Sequence, residues 1–529
     1  MAASWLQSHW SSLVLLLLAS YFFFKILRFG RRERHLPPGP PTIPILGNAH
    51  LLASGRVFFK FKEWSDRYGP IVSLKVGVST IIVLNDPRAV HELINKKSAC
   101  YADRPADEQW DLAVQNEHVA LMHSGPEWRA IRKIMAQTFS AKHLDGKLAK
   151  IQEAEINRLM AEILERPEDF RSSVLRASLS IASIIIYGFR APSWSSFFAT
   201  DMSTTTDILT RAIAPGSYLP VAQFPFLKYI PDRWVPSKRV GAETYRRNTA
   251  TFEKARKLVA KRRDDGDMRD SLIDRVLDGS VQPDVPLSHS MLNAGLLGSG
   301  HQAASENTAT TALINFLLLA QYPEFQEKAR RELDRVCGTE RMPRWSDFDS
   351  LPYINCIIKE GLRYKPVVPT GVPYCAKEDN WYDGMLIPKN ATIFVPVYAL
   401  HRTYYPDPET YNPDRYLNHP KLSVEYAASS DYEKRDHYAF GAGRRICAGM
   451  HLAERTVWRT MAQILWAFSI EPGLDAEGNK VDLANTAFYE TMVYQPEPFQ
   501  VRFIPRSEKH AQVVRDASAE AEAYLKQWE

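Results

Sequence analysis

Apolar and polar positions separate one apolar N-terminal segment from a long body of helical and strand-like patterns. Residues 71–84 (IVSLKVGVSTIIVL) contain two β-branched runs separated near Gly77, which predict a hairpin. From residue 87 to about residue 365 the periodicity is mostly helical. Its most prominent part is a long apolar helix over residues 288–321, with a polar interruption at residues 301–308. The pattern therefore predicts a helical body with a small sheet.

The C-terminal third mixes short elements. In order, they are a strand-like stretch (370–397), a meander rich in proline and tyrosine (404–420), a glycine-rich loop (440–449) and a helix to about Phe468. No repeat period or Gly/Ser linker divides the chain. We therefore expect residues 50–505 to form one domain, mainly α with a minor β-sheet region (α+β), followed by a C-terminal helical tail over residues 506–529.

The apolar segment over residues 11–29 (SSLVLLLLASYFFFKILRF) predicts a transmembrane anchor. Twelve of its residues are Leu, Val, Phe or Ile, and each favours membrane insertion by about 0.3–0.6 kcal/mol near the centre of a span. A helix of this length covers roughly 28 Å, close to the hydrocarbon thickness of a bilayer. A cleaved signal peptide is the alternative. It is disfavoured because the positive charges follow the apolar run instead of preceding it.

Charge around this segment predicts its orientation. The flank before it contains only His9, whereas five basic residues lie in or after its C-terminal end: Lys25, Arg28, Arg31, Arg32 and Arg34. The positive-inside rule then places residues 1–10 in the lumen and the body in the cytosol. Residues 30–49 are predicted to be a basic, proline-rich hinge, since residues 37–44 (PPGPPTIP) resemble a stiff polyproline strut.

Composition excludes several classes of protein. Of 529 residues, 45% are hydrophobic and 24% charged, so a disordered, fibrous or polytopic membrane protein is not expected. A net charge of +5 spread over this length does not predict nucleic-acid binding. The five cysteines include no CxxC pair, which argues against a zinc cluster, and their odd number argues against a disulfide framework.

The candidate chemistry centres on residues 440–449, which read FGAGRRICAG. Gly443 and Gly449 allow the backbone to turn tightly and to pass close to a large planar partner. Cys447 comes just before a predicted helix, where amide dipoles and nearby arginines favour a thiolate. A thiolate is a strong axial donor to haem iron and favours cleavage of the O–O bond.

This loop resembles that of the cytochrome P450 superfamily, whose pattern F-x-x-G-x-R-x-C-x-G is matched at all five fixed positions: Phe440, Gly443, Arg445, Cys447 and Gly449. The resemblance implies a cytochrome P450 fold preceded by a single N-terminal transmembrane helix. It also implies haem b with Cys447 as the axial iron ligand. A dinucleotide-binding loop is disfavoured, because its third glycine and its preceding buried strand are missing.

Glu360 and Arg363 match the ExxR motif of that family. Other pairs match the spacing equally well and are expected to be ordinary surface ion pairs, among them Glu155/Arg158, Glu168/Arg171, Glu243/Arg246, Glu253/Arg256 and Glu327/Arg330. Glu360 and Arg363 differ because their helix is apolar and lies upstream of residues 413–416, which resemble the family's P-E-R-F segment. The resemblance implies a buried structural triad of Glu360, Arg363 and Arg415 behind the haem.

Three residues outside the cysteine loop, and Arg445 within it, are implied as contacts of the haem propionates. Trp128 and Arg132 resemble the family's W-x-x-x-R helix and lie one helical turn apart, so both can reach one propionate. Arg445 is implied to meet the propionates from the cysteine loop. Tyr374 stands where many relatives have a propionate-binding histidine, and its phenol can donate one hydrogen bond.

The central helix departs from the family pattern [AG]-G-x-[DE]-T at residues 303–307. The acid is retained as Glu306, but Asn307 replaces the threonine that steers protons to dioxygen. Thr308 follows one position on, about 100° around the helix, and Ala304 replaces the usual glycine. An asparagine both donates and accepts hydrogen bonds, so Asn307 is expected to serve as a working substitute. Altered proton delivery remains the alternative.

The resemblance also implies partners and a location. No reductase domain fits in the remaining length, so electrons are expected from NADPH through a separate membrane-bound NADPH–cytochrome P450 reductase of the endoplasmic reticulum. Five basic residues are expected to steer its acidic face: Arg129, Lys133, Lys434, Arg435 and Arg444. The protein is therefore predicted to be a single-pass protein of the endoplasmic reticulum membrane with a cytosolic catalytic domain.

The implied reaction is insertion of one oxygen atom of O2 into a small lipophilic substrate. Substrate contacts are expected from residues 103–123, Ala303, residues 367–372 and residues 487–492. The sequence resembles fungal secondary-metabolism members, some of which hydroxylate small aromatic polyketide intermediates. Two alternatives remain. The same haem could serve dehydration, ring rearrangement or peroxide-driven chemistry, or the protein could be a haem-binding sensor or carrier without turnover.

Overall fold

The computed structural model describes residues 10, 13–21, 24, 29–52, 56–214, 216, 218, 220–489 and 491–529. Within the predicted anchor, residues 13–21 are helical and their leucines are exposed. Residues 11, 12, 22, 23 and 25–28 of that prediction, and residues 1–9 before it, lie outside the described residues. One described helix, Pro167–Tyr187, is long and apolar enough to cross a membrane, but 89% of its apolar 18-residue stretch is buried inside the protein.

The described body is mainly helical. Its α-helices are α1 (Val57–Tyr68), α2 (Pro87–Ala89), α3 (Ser98–Tyr101), α4 (Glu108–Val114), α5 (Pro126–Thr138), α6 (Ala141–Asp145), α7 (Ala149–Glu165), α8 (Phe170–Tyr187), α9 (Met202–Ala212), α10 (Pro236–Asp264), α11 (Leu272–Leu277), α12 (Ser299–Gln321), α13 (Pro323–Cys337), α14 (Pro352–Tyr364), α15 (Val397–Tyr404), α16 (Ser423–Ala427), α17 (Met450–Ala467) and α18 (Glu508–Leu525). Three π-helical segments, Val90–Lys96, Phe197–Asp201 and Met291–Gly298, run directly into or out of these helices.

Eight strands form three small sheets in the described residues. They are β1 (Ile71–Val76), β2 (Ser79–Leu84), β3 (Tyr374–Cys375), β4 (Asn380–Tyr382), β5 (Met385–Ile387), β6 (Thr392–Phe394), β7 (Phe468–Pro472) and β8 (Val501–Pro505). The largest sheet has the order β1-β2-β6-β3, with β2 parallel to β6 and the other pairs antiparallel. The predicted hairpin around Gly77 is confirmed as β1 and β2, with Ile71 opposite Leu84.

Helix α12 is the centre of the core. It is buried on nearly all sides and packs against α8, α14 and α17, as expected for a helix that is apolar around its circumference. The predicted long helix over residues 288–321 is confirmed, although its first part, Met291–Gly298, is π-helical. Such wide turns inside α-helices are frequent at functional sites.

The C-terminal helix α18 lies against the body. Its Leu525 and the following Trp528 are buried in a cluster with Ile151, Ala154 and Ile184. This apolar contact fixes α18 against α7 and α8, far along the chain from the glycine-rich loop. The tail predicted over residues 506–529 is therefore helical, and it packs as part of the body's surface.

Candidate active site

The glycine-rich loop presents Cys447 to a large internal cavity. Ahead of the cysteine, Gly443–Arg445 form one 3-10 turn, and α17 begins three residues after it. The Cys447 amide donates to the Phe440 carbonyl at 2.9 Å, which closes the loop. Of the five cysteines, Cys447 is the exposed one, and its accessible surface lines the cavity. The loop therefore offers a sulfur ligand at the cavity wall.

The two predicted loop glycines have different roles. Gly443 has a φ of +60°, and a Cβ there would lie 2.1 Å from the Ile94 carbonyl oxygen. It is therefore needed for the tight turn, as predicted, and for packing against the π-helical segment Val90–Lys96. Gly443 is not among the residues that line the cavity. Gly449 lines the cavity and has open space where a Cβ would stand. Only Gly449 fits the predicted close approach.

Burial acts on the cysteine thiol. It raises the pKa of Cys447 above its ordinary value, while the Gly449 N–H and the positive charge of Arg132 act in the opposite direction. The predicted stabilisation of the thiolate by the loop's own dipoles and arginines is therefore outweighed by burial. A bound metal ion deprotonates a coordinating thiol by itself.

Three arginines converge on the same cavity: Arg104, Arg132 and Arg445. Burial lowers the pKa of all three, to about 10 for Arg104 and about 8 for Arg445. The like charges of Arg104 and Arg132 also lower the pKa of Arg445. Asp103 is close enough to oppose this effect, but its carboxylate pairs with His123 at 3.2 Å. A guanidinium does not deprotonate in proteins, and the three side chains donate to backbone carbonyls, which carry no full negative charge. An anion bound in the cavity would therefore be stabilised by them.

Trp128 adds a hydrogen-bond donor to this group. Its indole N–H is buried at the cavity and has no hydrogen-bond partner within the part of the chain that the structure describes. The Arg445 guanidinium lies 3.9 Å from its ring centroid. An unpartnered buried donor is unusual in proteins. Together with the three arginines it fits an anionic planar group whose carboxylates lie beside an apolar macrocycle. The residues present therefore fit haem, with Cys447 as the axial ligand and the arginines near the propionates.

Arg104 was not predicted as a haem contact. Its side chain is fixed by donating to the backbone carbonyls of Ala120, Val372 and Pro373. The sequence placed residue 104 in a substrate-facing loop, and nothing local distinguishes it from a surface arginine. The only signal in the sequence is that Arg104 lies within the predicted substrate segment, residues 103–123.

Tyr374 lies at the cavity, but its phenol has a different partner from the one predicted. Its hydroxyl donates to the Ala442 carbonyl at 3.1 Å and accepts from the Ala442 amide at 3.2 Å. Tyr374 therefore ties β3 to the glycine-rich loop, which supports the loop that carries Cys447.

The central helix divides its three candidate residues between two environments. Asn307 and Thr308 line the cavity, and their side chains donate to the carbonyls of Ala303 and Ala304 one turn earlier. Glu306 does not line it. Its carboxylate accepts a 2.8 Å hydrogen bond from Ser203 of α9, and burial raises its pKa to about 7. Glu306 therefore faces away from the Cys447 cavity.

The predicted triad is assembled behind the loop. Arg363 binds Glu360 through two hydrogen bonds of 2.7 and 2.8 Å, and both side chains are fully buried. Arg415 approaches Glu360 at 3.2 Å. The two arginines also donate to the carbonyl of Thr410, and the Asn412 amide donates to Glu360. The triad thus binds the backbone of the meander to α14.

Of the other Glu/Arg pairs with the ExxR spacing, one is an exposed ion pair as predicted and another is not. Glu243 and Arg246 are exposed and 2.7 Å apart, as predicted. The prediction for Glu155 and Arg158 is wrong, because Glu155 is buried and binds Arg176 at 2.7 Å and Arg190 at 3.1 Å. Sequence spacing alone did not reveal these partners, which come from α8 and the segment after it.

The predicted basic face is only partly correct. Arg129, Lys133, Lys434 and Arg444 are exposed. Arg435 is not: it is 4% exposed, and its guanidinium donates to the carbonyls of His437 and Gly441. Arg435 thus stabilises the glycine-rich loop, and the prediction that it contacts the reductase is wrong because the side chain is buried.

The predicted substrate segments mostly reach the cavity. Its lining includes Val119 and Ala120, Ala303, and four residues of the segment 367–372, which are Val367, Val368, Gly371 and Val372. Among the described residues of segment 487–492, none lines this cavity. Met492 lines a neighbouring cavity that shares Gly371 with the first one.

Replacing Trp128 by phenylalanine removes the indole N–H donor but keeps an aromatic ring, so this variant tests whether the indole binds haem. In the Trp128→Phe variant the haem should dissociate faster, because a hydrogen bond to a charged group is lost, worth about 1.5–3 kcal/mol. This corresponds to roughly a tenfold or larger increase in rate. Transfer of haem to an excess of an apo-globin measures it. The exposed Trp194, changed to Phe, is the control, and equal rates in both variants would contradict the assignment.

Comparison with known proteins agrees with this geometry. The family model Cytochrome P450 matches residues 37–503. The cytochrome P450 monooxygenase macC of Penicillium terrestre is 34% identical over 97% of both chains. One from Arthrobotrys oligospora is 35% identical over 93% of both chains, and patI of Aspergillus clavatus is 36% identical over 87% of this chain and 86% of that one.

A solved structure shows the same fold. A zebra fish cytochrome P450, solved with abiraterone, aligns with a TM-score of 0.66 and 22% identity over 85% of this chain and all of that chain. The family implies a haem-thiolate cofactor, and O2 and a redox partner are used by its monooxygenases. The chain belongs to the cytochrome P450 family and is a monooxygenase of that family.

Proposed function

We propose that this protein is a membrane-anchored haem-thiolate monooxygenase. It inserts one oxygen atom of O2 into a compact lipophilic metabolite of fungal secondary metabolism, with electrons from NADPH through a separate reductase. Small aromatic polyketide intermediates are the first candidates. The observation that carries the proposal is the Cys447 thiol exposed to a cavity whose three arginines, Arg104, Arg132 and Arg445, form no ion pair with a carboxylate among the described residues.

Each group of residues has a distinct role in this proposal. Bound haem supplies the iron at which O2 is reduced, so that one atom enters the substrate and the other leaves as water. Cys447 holds the iron through its thiolate. The arginines and Trp128 hold the propionates, and the triad around Glu360 fixes the meander behind the loop. These contacts keep the cofactor at a constant position relative to α12.

Small apolar side chains support a compact, lipophilic substrate. Ala120, Ala303, Val368 and Val372 line the cavity near α12. Such a wall orients an apolar substrate by shape, and the site of attack is set by proximity to the iron.

Asn307 is proposed to guide protons and water in place of the family's threonine. Its amide reaches the cavity wall, and its nitrogen is 3.5 Å from the Ala303 carbonyl, a distance that leaves the N–H only weakly engaged. In the Asn307→Ala variant, hydrogen peroxide released per NADPH consumed should rise several-fold, because proton delivery loses a hydrogen-bonding group. The matched control is Thr311→Ser, on the same wall one turn later. If Asn307→Ala releases no more hydrogen peroxide per NADPH than the wild type, Asn307 does not take the place of the family's threonine.

Exposed apolar residues support the proposed attachment to the membrane of the endoplasmic reticulum. Phe29, where the chain leaves the predicted anchor, packs its ring 6.3 Å from that of Phe224. Three aromatic residues follow Phe224 and are exposed by 55–89%: Phe226, Tyr229 and Trp234. Aromatic residues are enriched at membrane interfaces. Their closeness to the end of the anchor supports contact of this face with the bilayer.

The function is tested with the full chain in membranes together with a fungal reductase. With NADPH, isotopically heavy O2 and a panel of aromatic polyketides, a product should carry one heavy oxygen atom. Absence of NADPH consumption with every compound would contradict monooxygenase activity.

A second candidate is a haem enzyme of the same family that performs dehydration, rearrangement or peroxide-driven chemistry. It is favoured by one observation, that Glu306 binds Ser203 away from the cavity while Asn307 replaces the threonine. Product formed without NADPH and reductase would select it.

A further inference from the structure

A buried carboxyl group lies two helical turns after the cysteine. Glu454 is on α17 and is 7% exposed. One of its oxygens, Oε1, accepts a hydrogen bond from the backbone amide of Ser423, while the other, Oε2, is buried and has no hydrogen-bond partner among the described residues. An unsatisfied buried oxygen carries a large desolvation penalty. A glutamate is a costly choice if its only role is to bind the amides of Ser423 and Val424 at the start of α16.

The carboxyl of Glu454 is electrostatically coupled to the proposed haem ligand. It lines the same cavity as Cys447, and its charge raises the pKa of the Cys447 thiol. A negative charge at Glu454 therefore acts on the sulfur through the low-dielectric interior, where such effects are strong.

The groups that face Glu454 do not neutralise it. Lys359 of α14 is the cation near it, but its ammonium is 3.0 Å from the carboxylate of Asp436. Asp436, before the glycine-rich loop, adds a second negative charge. The amides of Ser423 and Val424 at the start of α16 act in the opposite direction. Among the described groups around Glu454, one cation, Lys359, is therefore shared by two carboxylates, Glu454 and Asp436.

Burial shifts the pH at which Glu454 ionises, because it raises the pKa of this carboxyl group to about 7. The charge of Asp436 raises the pKa further, whereas the Ser423 amide and Lys359 lower it. The carboxyl group thus gains or loses a proton near neutral pH, at the wall of the cavity that Cys447 also lines.

We propose that Glu454 sets the reduction potential of the haem held by Cys447 and couples it to a proton. This inference rests on the proposed function. An ionised Glu454 stabilises the ferric state, because the ferrous state adds one negative charge nearby. When the redox partner delivers one electron to the iron, Glu454 takes up one proton from solvent, and this neutralises the added charge.

Potentiometric titration of the purified, haem-loaded protein tests this coupling. The potential of the wild type should fall between pH 6 and pH 8. At pH 8, Glu454→Gln should increase the ratio of reduced to oxidised haem at a given applied potential about tenfold, or about 59 mV for one electron. Its potential should change little with pH. Glutamine still accepts the Ser423 amide, so the helix contact is kept.

The control is Glu425→Gln on α16, an exposed carboxylate that pairs with Lys421, and it should behave as the wild type. Equal potentials and pH profiles in wild type and Glu454→Gln would overturn the proposal. If Glu454→Gln does not retain haem, Glu454→Asp decides: a pH-dependent potential with a shifted midpoint supports the coupling, and an unshifted profile overturns it. A wild type without a thiolate spectrum would instead refute the proposed function.

Discussion

Replacement of Cys447 by serine should abolish NADPH-driven oxidation while the protein remains folded. A serine hydroxyl does not ionise at neutral pH and is a weak donor to iron, so the electron density that favours O–O cleavage is lost. The variant keeps the size of the side chain, and the loop's closing bond uses the backbone amide of residue 447. Turnover with the reductase and the thermal unfolding midpoint are the two measurements.

The matched control for this variant is Cys100→Ser. Cys100 is half-buried, and its thiol donates to Glu378, outside the cavity described above. Its loss should leave turnover unchanged. Substrate oxidation by Cys447→Ser at a rate near that of the wild type would contradict sulfur ligation.

Replacement of Glu360 by alanine should have the largest effect on stability. It leaves Arg363 fully buried without its carboxylate and removes the acceptor of the Asn412 amide. Removing one partner of a buried ion pair costs about 3–5 kcal/mol. Burial alone would lower the pKa of Arg363, and its hydrogen bonds and attraction to Glu360 raise it above its ordinary value. The expected result is a chain that folds poorly and retains little haem.

The chain contains a matched control for this change. Glu243 and Arg246 have the same spacing and a similar distance, 2.7 Å, but both are exposed. Glu243→Ala should change the free energy of unfolding by no more than about 1 kcal/mol. The two variants are compared by chemical denaturation of the haem-loaded protein. Similar losses in both would show that the ExxR spacing, and not burial, determines the contribution.

Local patterns predicted the parts of the fold and site that depend on short stretches of sequence. The β-branched runs around Gly77 gave the hairpin, and the apolar run to Gln321 gave α12. The loop with Cys447 and the pair Glu360 and Arg363 were found because their motifs are contiguous. In each case the residues that define the feature lie within about one element.

Features that depend on long-range packing were not predictable. Arg104 is a site residue because it is held by carbonyls of residues 120, 372 and 373, two of which are distant in sequence. Arg435 is buried because it donates to carbonyls of its own loop, although the charged residues around it are typical of a surface segment. The direction of Glu306 depends on α9, since Ser203 is 103 residues away. A sequence pattern gives the helix face of such a residue, but it does not identify the element opposite.

The most direct test of the central claim is the absorption spectrum of the purified wild-type protein after reduction and exposure to carbon monoxide. Sulfur ligation by Cys447 predicts the strongly red-shifted Soret maximum that is typical of a thiolate haem. A Soret maximum at the position found for histidine-ligated haem, in protein that is folded and carries its full complement of haem, would contradict it.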